Sequence, residues 1–178
     1  QGRASGCVLL SLAAHRTHQA GIPSRRATLI PQIYQARRIL RADRRGSSWP
    51  VLIETEAGMF HTKLRGAAQA PAALVAEIIV DGLANAIGLP VPARVLIDIA
   101  PDVPTDDRND ELAQLLAASA GRNLGFQVLP EVSDFRPEDI SQVPPDIGAA
   151  ILWLDGLILN PDRTPANPNL LWSHGALW

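Results

Sequence analysis

The sequence predicts an α+β fold, with an antiparallel sheet first and helices after it. Two observations predict this. Short strand-like segments punctuated by turn residues crowd the stretch from Leu29 to Leu64, and two helix-length apolar segments, Pro71–Ile87 and Asp146–Leu159, come later. Strands followed by helices, rather than strands alternating with them, mark the α+β class.

The elements follow in order. Residues 1–28 are rich in Gly, Ser, Arg and His without a sustained period, and read as a disordered leader. Ile33, Tyr34 and Ile39 flank a first strand, and Gly46-Ser47-Ser48 is a turn. Pro50–Glu54 is a second strand, Glu56-Ala57-Gly58 a tight turn, and Met59–Leu64 a third strand. The three strands form a meander. A helix is expected over Pro71–Ile87, with Pro71 suited to the first helical position and Gly88 to the residue past the end. Its apolar residues Leu74, Val75, Ile78, Ile79, Leu83 and Ile87 recur at helical spacing. Arg94–Ile99 reads as a fourth strand, Asp110–Ser119 as a helix stopped before Gly121, and Asn123–Leu129 as extended. Val132–Pro145 reads as a Pro/Asp-rich connection. The helix Asp146–Leu159 carries Ile147, Ala150, Ile151, Leu154 and Ile158 on one stripe and stops at Asn160-Pro161, because a residue before proline avoids the helical region. Leu170-Leu171-Trp172, Ser173-His174-Gly175 and Ala176-Leu177-Trp178 form a hairpin. The expected division is a sheet-rich part over about 29–100 and the start of a helical part over about 101–178.

Bulk properties narrow the function. The chain has 178 residues, 47% hydrophobic and 19% charged, with a net charge of −2. That is a globular composition, and it argues against nucleic-acid binding through bulk charge. The local exception is the basic run Arg37–Arg45, which reads either as a solvated face or as a surface for nucleotide phosphates or acidic partners. A single cysteine, Cys7, admits no intramolecular disulfide and points to the cytoplasm. The apolar run Cys7–Ala14 is short and lacks a following cleavage pattern, and no run reaches the ~18 residues that span a bilayer, so no membrane association is expected. The chain begins with Gln1 and stops at Trp178 within a strand-like segment, so it is read as a piece of a longer protein.

The chemistry concentrates in the run Leu159–Trp172. Asp162 stands five positions before Asn167, in a loop between an apolar helix and a short strand. Phosphotransferase catalytic loops use such a pattern: the Asp accepts the substrate hydroxyl proton and the Asn holds magnesium on the phosphates. Asn169 is a second candidate amide, and Arg163 could steady the base or a phosphate. The plain alternative is an Asn/Asp/Pro turn. Upstream, Lys63 ends a strand on the same face as His61, with Phe60 and Thr62 opposite. Glu77 lies roughly 60° around its helix from Leu74, at the flank of the apolar stripe, where it could clamp Lys63 as an ion pair. Gly46, Ser47 and Ser48 could cover phosphates with backbone N–H groups or form an ordinary turn; a full G-x-G-x-x-G is absent. Ser119–Gly125 could line a cleft or simply stop a helix.

Several of these segments resemble the HipA-like kinase family. They are Lys63-Leu64-Arg65-Gly66, Leu74-Val75-Ala76-Glu77, Leu83, Gly88-Leu89-Pro90-Val91-Pro92, Asn123-Leu124-Gly125 and Trp153-Leu154-Asp155. Asn160-Pro161-Asp162-Arg163-Thr164 and Asn167-Pro168-Asn169-Leu170-Leu171-Trp172 are the most specific, and the similarity covers about 29–178. The resemblance implies a protein-kinase-like fold, with ATP and magnesium held between a sheet-rich lobe and a helical lobe. It implies that Lys63 contacts the phosphates, Asp162 is the catalytic base and Asn167 is a metal ligand. It also places a second magnesium-binding Asp just beyond the hairpin, so the stretch ending at Trp178 is expected to be inactive alone. The expected function is ATP-dependent phosphotransfer to a protein Ser or Thr. A non-enzymatic nucleotide-binding or interaction module and a small-molecule kinase are the alternatives. Nucleotide and an unidentified protein acceptor are the expected partners.

Overall fold

The computed structural model describes residues 31–42, 50–67 and 70–178. Of these, the residues up to Ile78 together with Pro92–Val128 form one compact unit, and Ile79–Val91 with Leu129–Trp178 form the other.

The first unit is built on a six-stranded sheet. Its strands are β1 (Ile33–Gln35), β2 (Arg38–Ala42), β3 (Val51–Thr55), β4 (Gly58–Lys63), β5 (Arg94–Ile99) and β6 (Gly121–Gln127), in the order β1-β5-β6-β4-β3-β2. The meander β2-β3-β4 is antiparallel throughout. The single first strand expected from sequence is instead two. β1 pairs in parallel with β5, and β2 pairs with β3. The switch falls at Ala36-Arg37: Ala36 N–H donates to Asp98 O at 2.9 Å and Arg37 N–H to Glu54 O at 2.8 Å. Adjacent residues thus bond to strands near opposite ends of the sheet, which can only happen if the sheet curls.

Curling puts one face inside. Ile39, Val51, Ile53, Phe60, Val95, Ile97 and Ile99 are buried there, and Tyr34 stacks on Phe60 with centroids 5.8 Å apart. Helix α2 (Asp110–Ala118) adds Leu112 and Leu116 to the same core. It starts where Asn109 caps it, the side-chain oxygen accepting from Leu112 N–H at 3.0 Å. The Asp-rich loop before α2 also packs along β2: Ile39 N–H donates to Pro104 O at 2.8 Å and Asp106 N–H to Ile39 O at 2.9 Å. That satisfies an edge strand which would otherwise carry unpaired backbone groups.

Helix α1 (Ala70–Ala86) contributes residues to both units. Its end is a Schellman motif: Gly88 takes φ 81°, its N–H bonds to Asn85 O and Leu89 N–H bonds to Ala84 O. The expected apolar stripe divides. Val75, Ile79 and Leu83 are exposed, whereas Leu74, Glu77, Ile78 and Ala84 are less so. Two adjacent ridges, one along 74–78 and one along 75–79–83, are both apolar, and periodicity does not choose between them.

In the second unit, helix α3 (Pro145–Ile158) packs its expected stripe inward. Leu154 is buried with Ala84 and Leu89, and Ile147, Ala150, Ile151 and Ile158 flank them. The helix ends at Ile158, two residues before Asn160, with Leu159 capping it in the left-handed conformation at φ 51° and its N–H on Asp155 O. The Val132–Pro145 segment is not irregular. It forms β7 (Val132–Asp134) and a 3-10 helix (Pro137–Gln142). β7 pairs with β8 (Leu171–Ser173), which pairs with β9 (Ala176–Leu177). β7 is a strand because β8 supplies its partner from far along the chain, so local pattern gives no sign of it. No described helix is long and apolar enough to cross a membrane.

Gly125 lets β5 and β6 pack at the centre of the sheet: a Cβ there would lie 2.7 Å from Ile97 Cγ1 and 3.0 Å from Val95 Cγ2. Gly125→Ala is therefore expected to destabilise the protein by about 1–3 kcal/mol through overpacking. Urea unfolding with the slope unchanged and the midpoint lowered checks it.

Candidate functional site

The candidate residues form two sets, one in each unit. The first is built on β4. Alternation buries Phe60 and Thr62 and leaves His61 and Lys63 half-buried on the other face. Lys63 Nζ forms an ion pair with Glu77 Oε1 of α1, both side chains about three-quarters buried. The second carboxylate oxygen, Glu77 Oε2, is buried without a hydrogen-bond partner. Lys63 Nζ also lies 5.3 Å from the centroid of the Phe126 ring, and Arg94 Cζ lies 4.7 Å from it. Phe126 thus presents its π-face to two cations. Glu77 shares its side of α1 with the half-buried Leu74 and Ile78, and Val75 and Ile79 are exposed.

The chain just past Lys63 is held by a polar bracket from the Ser119–Gly125 stretch, whose part as a support was not read from sequence. Asn123, 1% exposed on β6, accepts Arg65 N–H at 2.8 Å and donates to Ser119 O at 2.8 Å and Gly121 O at 2.7 Å. Gly66 N–H donates to the hydroxyl of Ser119, which is fully buried, at 3.0 Å. The signal available in the sequence was an amide beside the apolar Leu124 in a predicted extended segment. Such a residue is tolerated when each of its groups finds a partner.

The second set is the loop after α3. Asp155, in the last turn of α3, accepts from Asn160 Nδ2 at 2.8 Å and forms an ion pair with Arg163 through Nε. Asn160 Oδ1 in turn accepts Asp162 N–H at 3.0 Å, an Asx turn that fixes the backbone of Asp162. Arg163 Nη1 donates to Pro168 O, reaching across to the far side of the loop. Asn167 Nδ2 and Asn169 Nδ2 both donate to Asp162 O, at 3.3 and 3.1 Å. Thr164 and Asn167 exchange backbone hydrogen bonds at 3.0 Å each. The structure therefore brings Asp162 and Asn167 into one hydrogen-bonded loop, with the Asp162 side chain exposed and Asn167 half-buried. Asn169, at φ 52°, keeps its Oδ1 buried and without a hydrogen-bond partner. The hub of the loop is Asp155, whose part was not read from sequence because its partners lie beyond the helix end. Gly46, Ser47 and Ser48 lie outside the described residues.

Residues 36–176 match the family described as HipA-like kinase. No curated protein and no solved structure matches the chain.

Two outcomes follow from the contacts. Asn123→Ala leaves Arg65 N–H without its acceptor and is expected to cost about 1–3 kcal/mol; chemical denaturation of the variant measures it. Asp155→Ala leaves the Arg163 guanidinium and the Asn160 amide without their shared acceptor. Hydrogen exchange is expected to speed up by about tenfold or more at the Asp162 and Asn167 amides, while the β5 and β6 amides keep their protection.

Proposed function

The chain belongs to the HipA-like kinase family, and on that premise we propose that it transfers the γ-phosphoryl group of ATP to a Ser or Thr hydroxyl of a protein. The family makes kinase-like phosphotransfer the class of chemistry. The observation that carries the finer reading is the pair of supported constellations: a lysine held by a glutamate, and an Asp and Asn five residues apart in a loop anchored to the end of a helix.

The donor sets suit the groups this reaction needs. Asn167 offers an oxygen donor of the kind magnesium takes, and the unpartnered Asn169 Oδ1 nearby in the same loop is a further one. Magnesium, when bound, neutralises charge on the phosphate oxygens. Lys63 is a compact point charge suited to phosphate, and its pairing with Glu77 holds the ammonium in one place at the end of β4. Asp162 accepts the proton of the acceptor hydroxyl as that oxygen bonds to the γ-phosphorus and the bond to the β–γ bridging oxygen breaks, so ADP leaves. Arg163 does not serve as a phosphate contact in this scheme, because Asp155 and Pro168 O already engage it. Asn167 and Asp162 keep their spacing through the hydrogen bonds that close the loop. A cytoplasmic setting is part of the proposal and is supported by the single cysteine.

The test is to incubate the natural gene product with γ-labelled ATP, magnesium and a cell extract. Label is expected on protein bands, and Lys63→Ala and Asp162→Ala are each expected to lower it by about a hundredfold or more. Full labelling by both variants would sink the assignment. Label confined to small metabolites would replace the protein acceptor with a small-molecule one.

A further inference from the structure

The basic run at the start of the sheet resolves into residues with different surroundings. Arg38 forms an exposed ion pair with Asp106, at 2.6 Å, and Arg37 is exposed. Arg41 is different. It is half-buried on β2, and its Nε and Nη2 are both buried without a hydrogen-bond partner. A buried guanidinium edge with no acceptor is costly, so it calls for a physical reason.

The register places Arg41 relative to Lys63. Ile39, Ile53 and Phe60 lie opposite one another and point into the core. A bulge between Ile39 and Arg41 then brings Arg41 opposite Leu52, which lies opposite His61. Without the bulge, Leu40 rather than Arg41 would be opposite Leu52. Arg41 and His61 therefore share the outer face of the curled sheet, and Lys63 is the next residue of β4 on that face. Strand spacing of about 4.8 Å puts Arg41 and His61 roughly 10 Å apart at the backbone, and Lys63, two residues on, roughly 12 Å from Arg41, a gap that the long Arg41 and Lys63 side chains can close around one ligand. Continuing across the sheet, His61 lies opposite Phe126, and Phe126 opposite Arg94. The face thus carries Arg41, Lys63 and Arg94, three cations, and the carboxylate of Glu77 engages Lys63.

We infer that Arg41 is a second phosphate-binding residue, which receives a nucleotide phosphate side-on through Nε and Nη2. This rests on the nucleotide reading of Lys63 above. The chemistry is specific. Nε–H and Nη2–H lie parallel on one edge of the guanidinium and match two oxygens of a single phosphate, whereas an ammonium supplies only a point charge. The two side chains then divide the work: Lys63, already neutralised in part by Glu77, and Arg41, which has no counter-charge bonded to it among the described residues. The nucleotide supplies the acceptors that the edge lacks.

The experiment is calorimetric titration of the protein with ATP, inorganic tripolyphosphate and adenosine, for wild type, Arg41→Met, Arg41→Lys and Lys63→Ala. Thermal unfolding confirms that each variant is folded. Arg41→Met is expected to weaken ATP and tripolyphosphate binding by about ten- to a hundredfold and to leave adenosine binding unchanged. Arg41→Lys, which keeps the charge but loses the fork, is expected to recover only part of that loss. If Arg41→Met does not fold, Arg41→Lys alone must show the selective loss for phosphate. Wild-type affinity in the Arg41 variants alongside weakened binding in Lys63→Ala overturns the inference and leaves the nucleotide reading standing. Equal loss for adenosine and ATP also overturns it, because the effect is then not on phosphate. A wild-type protein that binds none of the three overturns both readings.

Discussion

The rest of the sheet unit depends on its closure at Ala36-Arg37. Two consecutive N–H groups reach Asp98 O and Glu54 O, on strands near opposite ends of the sheet, and this is possible only for a strongly curled sheet. Curling separates the two faces completely. The inner one becomes a core that Leu112 and Leu116 of α2 complete, and there Gly125 lies against Ile97 and Val95. The outer one carries Lys63, His61 and Arg41 alongside Leu52, Leu124 and Phe126, and Lys63 belongs to it because strand alternation leaves it no other choice. The bulge in β2 works within the same frame. It shifts the register by one, so that Arg41 stands on the outer face while Ile39 and Ala42 still pack on the core.

Positioning of the candidate residues is mostly backbone work done by other side chains. Asn123 and Ser119 hold Arg65 and Gly66, so the segment leaving Lys63 is fixed by buried groups whose hydrogen bonds are met. Asp155 plays the corresponding part in the other unit. It joins the helix to Asn160 and Arg163, and through them to the Asp162 backbone and to Pro168 O. A rigid helix end with a short, internally hydrogen-bonded loop is an economical way to hold a carboxylate and an amide in constant register. The exposed carboxylate of Asp162 is then free to act while its main chain is not free to move.

The helices show what sequence patterning can and cannot decide. In α3 one stripe, Ile147-Ala150-Ile151-Leu154-Ile158, is the buried one, yet Leu152, Trp153 and Leu157 on the remaining surface are exposed. In α1 the two candidate ridges were equally apolar, and the ion pair of Glu77 with Lys63 favours one of them. A contact across 14 residues of sequence thus marks the side of α1 that hydrophobic period left open. The 3-10 helix and β7 were illegible for a related reason: a three-residue strand has almost no local preference, and β7 exists because β8 pairs with it.

By itself the sequence determined the class of fold, the meander β2-β3-β4, the bounds of the three described α-helices to within about two residues and the hairpin whose turn holds His174 and Gly175 at positive φ. These follow from local causes: alternation, helical period, Pro and Gly at helix ends, and caps. It also named Lys63, Glu77, Asp162 and Asn167 as candidates, because their residue types and spacing carry the chemistry. Only the tertiary structure decided that β1 and β2 part company at Ala36, that Asn123 and Asp155 are the supports, and which ridge of α1 faces Lys63. Of the basic residues described in the run from Arg37, it alone singled out Arg41 as half-buried, with two guanidinium nitrogens that meet no acceptor. The physical reason is common to all of these. Each is a pairing between residues distant in the chain, and no local propensity encodes a partner that only folding brings near.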